Sequence, residues 1–397
     1  MARYNALRER IDRGEVIILD GAVGTQLQEM GVPIYHTAWA ATALNTHPAT
    51  VQVLHEQYVK AGVDIITTNT YASARHNLEP LGLGDLTGEL NRRAVLLARE
   101  ARERTAGGRP VLIAGSISNF GMKTGGEDMA SLRPRSRFTE DQLRANLHEQ
   151  AGLLVEAGVD FLLAESTGTN THRKWVSDAC KSTGAPFWVG FKCRRDPNEA
   201  VVKTGYLSPD RFADVLDDVM SHGGSVLTIF HTGIDDTTAA LEIALQKWPG
   251  PLGAYPDAER KDYMTVAHDH TVENRISPDE FVDRARRWIE SGVQIIGGCG
   301  TGCRPRFRRH GAVGVPQTEL IPSPKLALSG AQFFSHIQTL DGRRATNTKK
   351  WSGDRTTLRS GRANKLLHHL RMRGGTTARA YARPLGASEF PRRRKLR

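Results

Sequence analysis

Eight short apolar runs, rich in β-branched residues, punctuate residues 1 to 303, and each leads through a loop to a longer segment with helical spacing of apolar positions. They are VIILDGA (16–22), VDIITTN (63–69), PVLIAGSI (110–117), VDFLLAE (159–165), PFWVGF (186–191), SVLTIFH (225–231), PLGAYP (251–256) and VQIIGGC (293–299). Three runs are entered through one device, KAGVD, EAGVD or ESGVQ, whose Gly62, Gly158 and Gly292 suit the left-handed turn that ends a helix. Near-continuous apolar strands alternating with helices predict a parallel sheet covered on its outer face. Eight such units in about 300 residues match the α/β class and, within it, a (β/α)8 TIM barrel. A doubly wound sheet is disfavoured, because no Gly-x-Gly-x-x-Gly follows the first run.

Composition divides the chain in two. Its 397 residues carry a net charge of +11. From Arg304 onward there are 22 basic residues against four acids, Glu319, Asp341, Asp354 and Glu389, which leaves 32 basic and 39 acidic residues in 1–303. The high pI therefore describes a basic tail, 304–397, and not the barrel expected over 1–303. Four cysteines, Cys180, Cys193, Cys299 and Cys303, are too few for a disulfide framework in a chain this long. The opening MARYNALRERIDRGE lacks an apolar stretch of signal-peptide kind, and no apolar run approaches the roughly 20 residues of a membrane span. The expectation is a soluble, reduced, cytoplasmic protein without a membrane partner.

Barrel enzymes place their chemistry at the C-terminal ends of the strands. Those ends carry Asp20-Gly21, Thr68-Asn69-Thr70, Ser116 with Ser118-Asn119, Glu165, Lys192, His231-Thr232, Tyr255 and Gly297-Gly298-Cys299. Acids, hydroxyls, an imidazole and a thiol on one rim suit a polar, zwitterionic ligand. Each also has a plainer reading. Asp20 before a glycine can make a turn. Glu165, which ends the run FLLAE, needs a cationic partner that either a substrate ammonium or a structural Lys or Arg can supply. His231 alone reads as a hydrogen-bonded structural histidine, and Cys299 alone as a small buried hydrophobe.

Six segments, ILDGAVGTQLQEMGV, VDIITTNTYAS, GSISNFG, VDFLLAEST, AYPDAE with ISPDEF, and VQIIGGCGTG, stand in the order and near the spacing of the homocysteine S-methyltransferase family. The chain resembles that family over about 1 to 302. The resemblance implies a zinc-bearing barrel that transfers a methyl group to the sulfur of homocysteine, giving methionine. It implies that Asp20, with Gly21 of its DG motif, and Glu165 hold the amino acid, and that Thr68, Asn69 and Thr70 line the same pocket. Soft sulfur ligands on zinc would lower the thiol pKa and leave a thiolate able to attack carbon. Trp39, Phe120 and Tyr255 are candidates for a wall around a cationic donor. S-methylmethionine, betaine and S-adenosylmethionine all remain candidate donors. A corrinoid or folate donor is disfavoured.

At the metal the chain departs from the pattern that the resemblance implies, one Cys ending strand six and two adjacent Cys ending strand eight. Here strand six ends in Phe230-His231-Thr232 and strand eight in Gly297-Gly298-Cys299-Gly300-Thr301-Gly302-Cys303. The expected zinc ligands are Cys299, His231 in place of the strand-six cysteine, and Cys303 swinging in; Cys299 and His231 are also the expected catalytic pair. Beyond Gly302, where a barrel-closing helix is expected, comes CRPRFRRHGAVGVPQ and the basic stretch ending EFPRRRKLR. Three readings of that low-order tail compete: an extension touching nucleic acid or anionic surfaces, a solvated appendage, and the product of a reading-frame slip near Gly300 to Cys303. The alternative function is a barrel that binds a small amino acid without turnover, with a tail that contacts nucleic acid. Oligomeric state is not readable.

Overall fold

Each of the eight apolar runs forms one strand of a single parallel sheet. The structure, a computed structural model, describes residues 1–35, 37–122, 138–196, 198–199, 201–205, 208–258 and 276–300. The strands are β1 (Ile17–Ile18), β2 (Ile65–Thr67), β3 (Leu112–Ser118), β4 (Phe161–Ser166), β5 (Phe187–Phe191), β6 (Leu227–Gly233), β7 (Leu252–Asp257) and β8 (Ile295–Ile296). Around the sheet the order is β1-β8-β7-β6-β5-β4-β3-β2, every pairing parallel. A parallel bridge between Leu19 and Ile65 joins the two ends of that order. The Asp20 amide donates to Ile65 O at 3.0 Å and the Asp64 amide to Ile18 O at 2.8 Å, so the sheet curls into the (β/α)8 TIM barrel that the spacing predicts.

Strand parity sorts the side chains into two apolar layers. Ile17, Leu19, Ile65, Leu112, Ala114, Phe161, Leu163, Trp188, Phe230, Tyr255 and Ile295 pack together inside the barrel. Ile18, Ile66, Ile113, Leu162, Val189, Leu227, Ala254 and Ile296 face outward onto the helices. Because parity is fixed, Ser116 on β3 and Glu165 on β4 project inward just above the apolar plug.

The helices behave as their sequences suggest. Pro48–Ala61, Glu140–Ala157 and Pro278–Ser291 each end on a left-handed glycine, Gly62 (φ 98°), Gly158 (φ 95°) and Gly292 (φ 114°). The N-terminal helix precedes the repeat. Ala2–Asp12 inserts Tyr4, Leu7 and Ile11 into the interior cluster. The Tyr4 hydroxyl lies 2.5 Å from Ser225 Oγ and accepts from Trp188 Nε1 at 3.1 Å, and Gln294 Nε2 donates to Ile11 O at 2.6 Å. This helix closes the end of the barrel opposite the strand C-termini.

After β5 the chain makes a short antiparallel hairpin, Cys193–Arg195 with Val202–Thr204. On β6 the pairing with β7 slips between Phe230 and Gly233, a bulge that places one extra residue on β6. Among the described residues, no helix is long and apolar enough to cross a membrane. Cys303 and the tail 304–397 lie outside the described residues.

Candidate active site at the C-terminal rim of the barrel

Two buried carboxyls form the floor of the rim. Asp20, at the end of β1, accepts from the Thr67 amide at 2.7 Å and from the Thr67 hydroxyl at 2.8 Å. Glu165, at the end of β4, accepts from the Ser116 hydroxyl and, at 3.1 Å, from the Tyr255 hydroxyl. Burial pushes Asp20 up to about 8, opposed by its bonds from Thr67, and the nearby Glu165 charge adds to the rise. Burial likewise pushes Glu165 up to about 7, opposed by its bonds from Ser116 and Tyr255. The Tyr255 phenol is pushed well up, mainly by burial and then by the charge of Glu165. A positive charge beside either acid would favour its ionised form.

A second cluster sits beside it. His231 Nδ1 lies 3.1 Å from Asp257 Oδ1 and 3.7 Å from Cys299 Sγ. One ligand atom from each of the three residues lies within 4.8 Å of the others. His231 reaches this point because the β6 bulge puts it in the left-handed region, with φ 46°, a conformation uncommon outside glycine. Asp257 ends β7, and a bridge pairs it with Cys299. The Cys299 amide donates to Pro256 O at 2.8 Å and the neighbouring Gly298 amide to Asp20 O at 3.1 Å, which ties this cluster to the carboxyl floor.

The arrangement is not a proton relay. In a Cys-His-Asp relay the imidazole presents one nitrogen to the thiol and the other to the carboxylate. Here the same nitrogen faces both, so three donor atoms converge on one point. Zinc with bonds of about 2.3 Å to sulfur and about 2.0 Å to nitrogen or oxygen sets tetrahedral ligand atoms about 3.3 to 3.6 Å apart. The observed 3.1 and 3.7 Å bracket that range. The carboxylate of Asp257 is 1% exposed, which holds its oxygen out of water beside the other two donors. The three residues fit a zinc ion.

Asp257 is the residue that sequence reasoning missed. Its signal lay in AYPDAE, an acid immediately after the apolar run PLGAYP (251–256) and just outside its boundary. Its location explains the altered cysteine pattern. A Cβ built on Gly300 would run into Asp257 Oδ1, so the carboxylate fills the space that a second adjacent cysteine would need.

The remaining predicted residues share the rim with their polar groups already engaged. Thr68 and Thr70 hydroxyls lie 2.7 Å apart, and Thr70 donates to Ser116 O at 2.6 Å. Asn69 Nδ2 donates to Ala40 O at 2.8 Å, fastening the loop after β1. Gly21 leaves room for Tyr58, whose hydroxyl donates to Ala22 O at 2.9 Å; a Cβ at 21 would lie 2.7 Å from that hydroxyl. Of the aromatic candidates, Tyr255 stacks on Phe230 at 5.5 Å and serves Glu165, while Phe120 pairs with Tyr71 at 5.4 Å. Trp39, at φ 44°, packs against Gly24.

The homocysteine S-methyltransferase family matches residues 17–305. The selenocysteine methyltransferase of Astragalus bisulcatus is 25% identical over 306 residues, covering 72% of this chain and 88% of that protein. The homocysteine S-methyltransferase of Escherichia coli is 26% identical over 307 residues, covering 75% and 95%. In fold, the metallated form of the Escherichia coli homocysteine methyltransferase MmuM superimposes with a TM-score of 0.57 at 20% identity, covering 83% of this chain and 99% of that one. The match over most of the chain, on a barrel whose rim carries two buried carboxyls beside three converging candidate ligand atoms, makes this protein a methyltransferase of the homocysteine S-methyltransferase family.

Proposed function

We propose that the chain methylates the sulfur of homocysteine, or the selenium of the corresponding selenol, with zinc held by His231, Asp257 and Cys299. The observation that carries this reading is the convergence of those three ligand atoms next to two buried carboxyls with raised pKa values. Zinc, when bound, would lower the acceptor thiol's pKa and keep a reactive thiolate at neutral pH. Asp20 and Glu165 would grip the acceptor's ammonium, with Ser116, Thr67 and Tyr255 fixing the carboxylates by donated hydrogen bonds. This grip aims the chalcogen of a short side chain toward His231 and Cys299. The sulfur lone pair then forms the new bond to the methyl carbon as the donor's bond to that carbon breaks, and the pair leaves on the donor. A sulfonium or quaternary ammonium donor departs neutral, so alignment matters more than acid-base help.

The proposed ligand set differs from the all-sulfur set expected from the resemblance, with Asp257 as a third ligand; Cys303 lies outside the described residues. Removing a ligand lowers affinity, whereas a carboxylate in its space restores one donor. The test is metal analysis of protein purified without added zinc, with acceptor assays. One zinc per chain that Cys299→Ala or Asp257→Ala removes, together with methionine formed from homocysteine and S-methylmethionine, is the expected result. A metal-free chain that binds homocysteine without turnover would replace this reading with that of a binding barrel.

A further inference from the structure

The cation buried beside the metal cluster has a different task from binding substrate. Lys192, immediately after β5, is fully buried, and its ammonium donates to His231 O at 2.9 Å. The β5–β6 pairing runs Val189 with Leu227, Gly190 with Thr228 and Phe191 with Ile229. On the other side, the β6–β7 ladder slips between Phe230 and Gly233. His231 lies in that bulge, at φ 46°. Side chains brace this stretch. Lys192 takes the His231 carbonyl, the Cys193 amide donates to Thr232 Oγ1 at 2.8 Å, and Thr232 Oγ1 donates to Phe230 O at 2.7 Å.

We infer that Lys192 is a positioning residue: its ammonium clamps the carbonyl of the left-handed His231 and so aims the imidazole Nδ1 at the point shared with Asp257 and Cys299. This rests on the metal reading proposed above and adds the device that builds its nitrogen ligand. The physical reason is strain. A non-glycine residue at positive φ persists only where its surroundings fix it, and a charged donor to the carbonyl of that very residue is a strong restraint. A buried ammonium seated on the carbonyl of the left-handed residue holds that residue's backbone through a charge-assisted bond. The strand-six position thus holds an imidazole where the family resemblance implies a cysteine, and strand five supplies the support that it requires.

Zinc titration of the full chain, with cobalt(II) as a spectroscopic substitute, tests the clamp. Lys192→Met is expected to weaken zinc binding by about 10- to 100-fold, as loss of a group that orients a ligand does. In the cobalt form its thiolate charge-transfer band from Cys299 should persist while the ligand-field bands change shape. Lys192→Gln, which keeps an N–H donor without the charge, should lie between the two, and it decides the matter if the Met variant does not fold. Zinc affinity and cobalt spectra equal to wild type in a folded variant would overturn the clamp while leaving the metal reading intact. A wild-type chain that takes up no metal would count against the metal reading. The clamp is then judged on metal-free, 15N-histidine-labelled protein. Ring-nitrogen shifts of His231 that move in Lys192→Met support it, and shifts that stay overturn it.

Discussion

Glu165 and Asp20 show how burial changes an acid. Both are held above the carboxylate range, Glu165 at about 7 and Asp20 at about 8, with burial the leading cause of each. Folding therefore takes up protons at neutral pH, and the stability present below about pH 4 is lost as pH rises through about 7 to 8. Thermal midpoints of the ligand-free chain should fall across that window, and Asp20→Asn should flatten the fall; a flat wild-type profile would refute the assignment. An acceptor's ammonium reverses the balance, so acceptor binding near neutral pH should release protons, read by calorimetry in buffers of different ionisation enthalpy. Glu165→Gln removes one charge from the cradle, which costs roughly 2 kcal/mol or more and raises acceptor KM by about 30-fold or more. A drop in kcat at unchanged KM would mean that Glu165 acts on the transition state instead. Glu165 was legible in the sequence because an acid closing an apolar strand is anomalous there. Asp257 was not, because an Asp after Tyr255-Pro256 looks like ordinary turn chemistry until β7 and β8 bring it against Cys299.

Among the elements, the strands were the most legible and the N-terminal helix the least. Continuous apolar runs announce strands buried on both faces, and the three glycines mark helix ends by backbone sterics alone. Ala2–Asp12 carries mostly charged residues around Tyr4, Leu7 and Ile11, so its role emerges only from the interior that it plugs. That role is testable. Leu7 is 1% exposed at the floor of the barrel, and Leu7→Ala should destabilise by about 2 to 5 kcal/mol in urea or thermal unfolding. A change well under 1 kcal/mol would mean that the helix merely rests on the barrel. The bulge on β6 was likewise invisible in sequence, since SVLTIFH reads as one more near-continuous apolar run. Only the mismatch between the two ladders flanking it turns His231 toward the cluster.

For the molecule as a whole, charge separates the barrel from the basic residues that follow, and the family match ends at residue 305. We expect the catalytic unit to be 1–303. A chain ending at Cys303 should turn over acceptor with the KM of the full chain, and salt-sensitive retention on DNA, if present in the full chain, should vanish with the truncation. A truncated chain with altered KM would place part of 304–397 in the catalytic unit. Translating the other two frames after Gly302 tests the frame-slip reading, and if neither yields a helical segment it falls. By itself the sequence determined the barrel and the eight runs that form its strands, because hydrophobic periodicity is a local property that repeats eight times and glycines end three of the helices. Only the tertiary structure decided which rim residues meet. His231, Asp257 and Cys299 come from three strands, and their convergence depends on the stagger between neighbouring strands and on one bulge, relations between segments that no single segment encodes.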